Sequence, residues 1–194
     1  IVEKIAENNR LMGGAVGYGG SKPEQFDNFL DLKETATKSE LIRLTDHPNG
    51  VVRCYSFWAL SHYPSADIYP IIVDHIDDTM RVETMFGCIV STDRVGDFFI
   101  KTATPGYVDL DSKKLDSLQR RTLDSLLIHS ETTLSARSGA IHRAKPTEEL
   151  YPHIRNLVVI EKNPQALITL AKYQREEDIE LIQNFREPTN KEEG

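Results

Sequence analysis

The sequence predicts an all-α protein, an α-solenoid or superhelix of stacked antiparallel helix pairs, and three observations predict it. The first is an internal repeat: "ALSHYPSADIYPII" at 59–72 reappears as "AIHRAKPTEELYPHI" at 140–154, 81 residues further on. The second is a helical period inside the repeat, where Val82, Met85, Phe86, Ile89 and Val90 fall at i, i+3, i+4, i+7 and i+8. The third is the weakness of strand signals, of which "GYVDLD" at 106–111 is the nearest and reads better as a loop. A unit this short cannot bury its own apolar stripe, so units must stack to make a core.

Four copies of the phrase can be aligned. Ala59-Leu60 maps onto Ile89-Val90, Asp67-Ile68 onto Asp97-Phe98 and Val52 onto Val82, each by a step of 30. A third copy begins at Ala140-Ile141 and ends in Leu150-Tyr151-Pro152, matching Ile68-Tyr69-Pro70 with one insertion. A fourth begins at Thr169-Leu170, where Tyr173 matches Tyr63 and Asp178-Ile179 matches Asp67-Ile68. The copies start at spacings of 30, 51 and 29, so the long step carries about 21 extra residues, placed within 103–131.

Read in order, residues 1–22 form a glycine-rich lead-in and residues 23–187 the repeat domain, followed by a polar tail at 188–194. Pro23 opens a helix over "PEQFDNFLDL", at a position whose missing N–H had no intrahelical acceptor. Thr37 and Glu40 in "TKSE" form a capping box, and "HPNG" at 47–50 is a turn. Val51, Tyr55, Trp58 and His62 trace the apolar face of the next helix, with Tyr55 and Trp58 in the core. Asp67 is the expected N-cap before Pro70, and Asp97 and Asp178 repeat that structural role. A further helix is expected over 82–90, and a longer one over "KLDSLQRRTLDSLLIH" in the insertion, with Leu115, Leu118, Leu126 and Leu127 as its apolar residues. Cys54 and Cys88 both fall in this apolar helical setting and are expected as buried free thiols.

The segment "DHPNGVVRCYSFWAL" at 46–60 resembles the second helix of a HEAT-like repeat, in which an Asp/Pro/Asn turn leads into Val-Arg and small and apolar residues ending in Ala-Leu. The step of 30 is closest to the short HEAT-like units first described in phycobilin lyases. The resemblance covers 46–76, extends over 77–100 and 136–186, and is absent from 1–20 and 103–131. It implies an α-solenoid with a concave groove, and a fold of that kind does not fix a function.

Composition removes several function classes. The net charge of −7 divides into −7 over 1–111 (10 basic, 17 acidic), +3 over 112–162 (9 and 6) and −3 over 163–194 (4 and 7). That lacks the dense basic footprint of a nucleic-acid binder, including the HEAT-like DNA glycosylases. No apolar run approaches the roughly 20 residues of a membrane span. The glycines of "LMGGAVGYGGSKPEQ" miss the phosphate-loop pattern: Gly14 and Gly19 have the right separation, but Gly20 stands where Lys is required and Lys22 comes only after Ser21, before Pro23. None of the histidines at 47, 62, 75, 129, 142 and 153 is followed by Glu, which excludes the di-iron pattern of HEAT-like deoxyhypusine hydroxylases. Asp74, His75 and Asp78 in "DHIDD" are the densest ligand cluster, and no Gly-x-Ser-x-Gly elbow is present.

These exclusions leave a non-catalytic protein–protein interaction or scaffold module, binding its partner through the solenoid groove without a cofactor. Arg53, Arg120, Arg121, Arg137 and Arg143 are the candidate contacts, mostly in the basic middle segment, and favour an acidic protein partner. The alternative is a small-molecule-handling or lyase-like enzyme using the groove and the insertion. The expected protein is soluble, with the cytoplasm favoured; a chain opening on Ile1 leaves a missing targeting segment, or a longer parent chain, open.

Overall fold

A computed structural model describes residues 1–105 and 109–186 of the chain. Among the described residues it contains eleven α-helices and a three-stranded sheet, so the fold is mixed α/β and the all-α solenoid expectation is corrected. The chain divides into two compact units, one comprising 1–123 with 132–134 and the other 124–131 with 135–194.

The correction is sharpest at 82–90. Arg81–Gly87 is strand β2 and Ile89–Arg94 is strand β3, paired antiparallel with Phe86 opposite Ile89. Burial follows a period of two instead, with Val82 and Thr84 buried and Arg81 and Glu83 exposed, and the hairpin sends Met85 and Val90 of the apolar stripe to the face opposite Val82, Phe86 and Ile89. Gly87, at φ 58°, takes the first central position of a two-residue hairpin turn, a conformation that a glycine adopts without strain. Inside a helix the same glycine would cost about 1 kcal/mol. Cys88 sits at this turn and is exposed, not buried as expected, whereas Cys54 is fully buried.

The expected lead-in holds helix α1 (Val2–Asn8) and strand β1 (Arg10–Val16), which pairs parallel with β2 to give the order β1-β2-β3. The paired glycines of β1 permit close packing: a Cβ on Gly13 would stand 2.8 Å from the Phe86 ring, and one on Gly14 2.9 Å from that of Phe26. Helices α2 (Glu24–Thr35), α3 (Lys38–Leu44) and α4 (Gly50–Leu60) follow. Pro23 is the N-cap of α2, and the Thr37–Glu40 capping box starts α3 as the sequence implies. Asn49 caps α4 by accepting from the amides of Val51 and Val52. Buried Tyr55 and Trp58 join Phe29 in an aromatic core, with Phe29 and Trp58 stacked at 4.5 Å. Helices α5 (Tyr69–Asp74), α6 (Val95–Thr102) and α7 (Ser117–His129) follow, and the unit boundary falls within α7.

The second unit contains α8 (Ser135–Arg143), α9 (Tyr151–Val159), α10 (Pro164–Ala171) and α11 (Ile179–Gln183). Here parts of the repeat have physical counterparts in the first unit. Ile68 and Leu150 are N-caps followed by Tyr-Pro, and Asn163 caps α10 as Asn49 caps α4. Tyr63 donates to the Ala36 carbonyl at 2.7 Å, and Tyr173 to that of Thr147 at 3.0 Å. The aspartates depart from the cap expectation. Ile68, not Asp67, caps α5; Asp97 lies buried in the first turn of α6; Asp178 begins α11 but turns its carboxylate to Tyr151 and Arg155. The expected tail at 188–194, and residues 106–108 of "GYVDLD", lie outside the described residues.

Candidate functional site

The two edges of the sheet are treated in opposite ways. Alternate residues of β1 turn their backbone groups away from β2, and side chains of α2 and α4 receive them. The Tyr55 hydroxyl accepts from the Met12 amide at 2.8 Å and donates to the Met12 carbonyl at 2.9 Å. Gln25 donates to the Arg10 carbonyl at 3.0 Å, and Val16 exchanges both backbone bonds with Ser21. At Arg10, Met12 and Val16 the edge of β1 is therefore covered by the fold itself.

The edge of β3 is open. Phe86 and Ile89 flank the two-residue turn, so they form a bonded pair, and the backbone groups of Val90 and Thr92 point away from β2. Outside the hairpin those groups have no partner among the described residues. Ile89 and Val90 are 71% and 54% exposed, and Ser91 and Thr92 are exposed as well. An open edge with apolar, β-branched side chains is a template for another strand.

The face of the sheet away from the core carries three cross-strand rows. Arg10 pairs with Glu83 beside Thr92; Met12 lies next to Met85 and Val90; Arg81 lies directly opposite Arg94. Arg94 donates to the Thr133 carbonyl, but among the described residues no carboxylate pairs with Arg81 or Arg94. On the core side Asp93 is held by Lys101 at 2.7 Å.

The five arginines chosen from the sequence fall into two classes. Arg53 on α4 is largely buried and tied to Asp78 and to the His47 carbonyl. Arg137 grips Glu161 with both terminal nitrogens, at 2.9 and 3.1 Å, and Arg143 bonds Asp124 at 2.7 Å. Arg120 and Arg121 stand exposed on α7 beside Leu118, itself 65% exposed, and neither side chain bonds another described residue.

No family model, curated protein or solved structure matches this chain.

The insertion begins as a stitched loop. Asp109 accepts from the Trp58 indole and lies 2.8 Å from His62 Nε2, while Lys114 donates to the Thr102 carbonyl and the Ser112 hydroxyl. Burial works against the Asp109 carboxylate, yet the bonds from Trp58, the Asp111 amide and His62 outweigh it and hold the carboxyl below its usual range. Burial also pulls Lys114 down, opposed by Asp109, and pushes the Cys54 thiol well up, which makes that thiol a poor nucleophile. In "DHIDD", Asp78 is engaged by Arg53, and the His75 nitrogens face the carbonyls of Ile71 at 2.8 Å and Thr45 at 2.9 Å. Among the described residues no three potential metal ligands converge. An open cleft of about 390 Å³ lies among α1, α2 and α3, where Glu40 is already committed to the Thr37 cap and Glu3 and Arg43 are the other charged walls.

The residues missed by sequence reasoning are therefore Ile89, Val90, Thr92, Arg81 and Arg94. Their signal was available in "RVETMFGCIVSTDR", an alternating β-branched run split by Gly-x.

Proposed function

We propose that the protein is a binding module that takes an extended segment of a partner polypeptide alongside β3. Strand addition of this kind draws affinity from backbone bonds and specificity from alternate side chains. The observation behind this reading is the contrast between edges: Tyr55, Gln25 and Ser21 cover β1 at Met12, Arg10 and Val16, while β3 offers the backbone of Val90 and Thr92 to solvent. Among the described residues no helix is long and apolar enough to cross a membrane. The helix pairs ending at Tyr63 and Tyr173 we take as HEAT-like units in a mixed fold; the matching tyrosine-to-carbonyl bonds support that kinship.

The test is selection of random linear peptides displayed on phage against the immobilised chain, followed by binding of the enriched peptides to Thr92→Pro. Proline at this outward position removes a donor from the docking edge and leaves the bonds to β2 in place. Peptides that bind the parent chain and lose binding to Thr92→Pro support strand addition. Absence of enrichment, or equal binding to the variant, sinks it.

A further inference from the structure

The open edge carries a charge arrangement that specifies its occupant. Arg81 and Arg94 face each other across β2 and β3, and like charges directly opposite destabilise a strand pair. The same face pairs Arg10 with Glu83, so this sheet does neutralise a cross-strand charge where an acid is available. The acid on β3 is not available to Arg94: Asp93 points to the other face and is bound to Lys101. The Thr133 carbonyl satisfies one donor of Arg94 but leaves its charge unbalanced.

Resting on the strand-addition reading above, we propose that the partner segment presents an Asp or Glu opposite Arg94 and a β-branched or other apolar residue opposite Val90. The period of two fixes the spacing. Val90, Thr92 and Arg94 share a face, so the apolar residue and the acid lie four positions apart in the docked strand, with the intervening same-face position opposite Thr92. The apolar residue extends the row of Met12, Met85 and Val90, and the carboxylate bridges the Arg81–Arg94 pair.

A second copy of this chain does not meet those requirements. Two equal edges join antiparallel about a two-fold axis. The sole acid of β3 is Asp93, immediately before Arg94, so a register that sets it opposite Arg94 leaves Ile89 and Val90 with no facing strand. A separate polypeptide is the occupant.

The peptides selected above, on a Cys88→Ser background to remove the exposed thiol, supply the probe. Enriched sequences are expected to carry Asp or Glu four residues from Val or Ile. Fluorescence anisotropy with a labelled enriched peptide should show roughly tenfold or greater weakening for Arg94→Glu and for Arg81→Glu, and for Arg94→Glu affinity should be regained when the peptide acid is changed to Lys. Among the described residues the exposed Arg81 side chain makes no hydrogen bond or ion pair, so its variant separates binding from stability; circular dichroism checks both. Peptides that lose binding to Thr92→Pro but show no acid preference, and bind Arg81→Glu and Arg94→Glu unchanged, overturn this inference while leaving strand addition intact. Peptides indifferent to Thr92→Pro overturn both. A concentration-dependent dimer in sedimentation, lost in Thr92→Pro, puts a second copy on the edge and overturns the separate partner.

Discussion

The Tyr55 hydroxyl bonds both backbone groups of Met12, taking the amide at 2.8 Å and giving to the carbonyl at 2.9 Å. One side chain thereby closes the β1 edge at its centre and anchors the sheet to α4. Burial pushes the phenol far above its usual range, so it stays protonated and able to donate. Tyr55→Phe keeps the stack on Phe29, at 5.1 Å, and removes only the hydroxyl. The expected loss is about 1–3 kcal/mol, the cost of leaving partly buried backbone groups unsatisfied. Urea unfolding followed by the emission of Trp58, the single tryptophan, measures it. An unchanged midpoint would mean that water replaces the hydroxyl.

The arginines separate by burial. In the Arg53–Asp78 pair both side chains are mostly buried, at 16% and 9% exposure, so Arg53→Glu leaves two acids facing each other in a poorly hydrated site. Loss of a partner from a buried pair costs about 3–5 kcal/mol. Arg120→Glu with Arg121→Glu touches no described partner and should stay within about 0.5 kcal/mol of the parent chain. Thermal scans of the two variants side by side check the contrast; an equal loss in both would refute it.

The local chemistry of this fold is legible in the sequence and its sheet is not, for a physical reason. The Thr37–Glu40 box and the Tyr-Pro helix starts at 69–70 and 151–152 depend on residues within one turn of each other. Strand β1 pairs with a segment near residue 84, so nothing adjacent to "LMGGAV" announces its partner. The apolar residues of 82–90 keep the helical spacing, and tertiary pairing with β1 overrides it. Gly87 at the centre of that run was the local signal against a helix. The open edge was harder still. Exposure of Ile89 and Val90 follows from the order β1-β2-β3, which no single segment encodes.

Acid should loosen the insertion first. Hydrogen bonds lower the Asp109 carboxyl in the folded chain, so its contribution is fully present above the ordinary carboxylate range and is lost as pH falls through the lowered value. The window therefore opens below about pH 4, the unperturbed value for Asp. Because the Asp109 carboxylate accepts the Trp58 indole bond, protonation there should shift Trp58 emission. In Asp109→Asn that emission step should disappear, and stability between about pH 2 and 4 should fall less steeply than in the parent chain. A titration of fluorescence and unfolding midpoint over that range decides it. An identical profile in both proteins would assign the acid response to other carboxylates.

Gly96 tests how tightly α6 packs. Exchange of a helical glycine for alanine ordinarily gains up to about 1 kcal/mol, through lower backbone entropy in the unfolded chain. At Gly96 the sign should reverse. A Cβ there would lie 2.5 Å from the His75 carbonyl oxygen and 2.6 Å from Leu134, and the first of these is backbone. That carbonyl cannot swing aside cheaply, because it accepts the Asp78 amide while the Asp78 carbonyl accepts the Gly96 amide. Gly96→Ala is expected to cost about 1–3 kcal/mol, the usual penalty of forcing extra volume into a packed site. Gly139 on α8 supplies the control: its Cβ would meet the terminal nitrogen of Arg143 at 2.9 Å, the movable end of a long side chain. Gly139→Ala should therefore be neutral or stabilising. If both variants lose stability equally in urea unfolding, the cause is helical context, and the backbone contact at His75 is not what excludes a side chain from position 96.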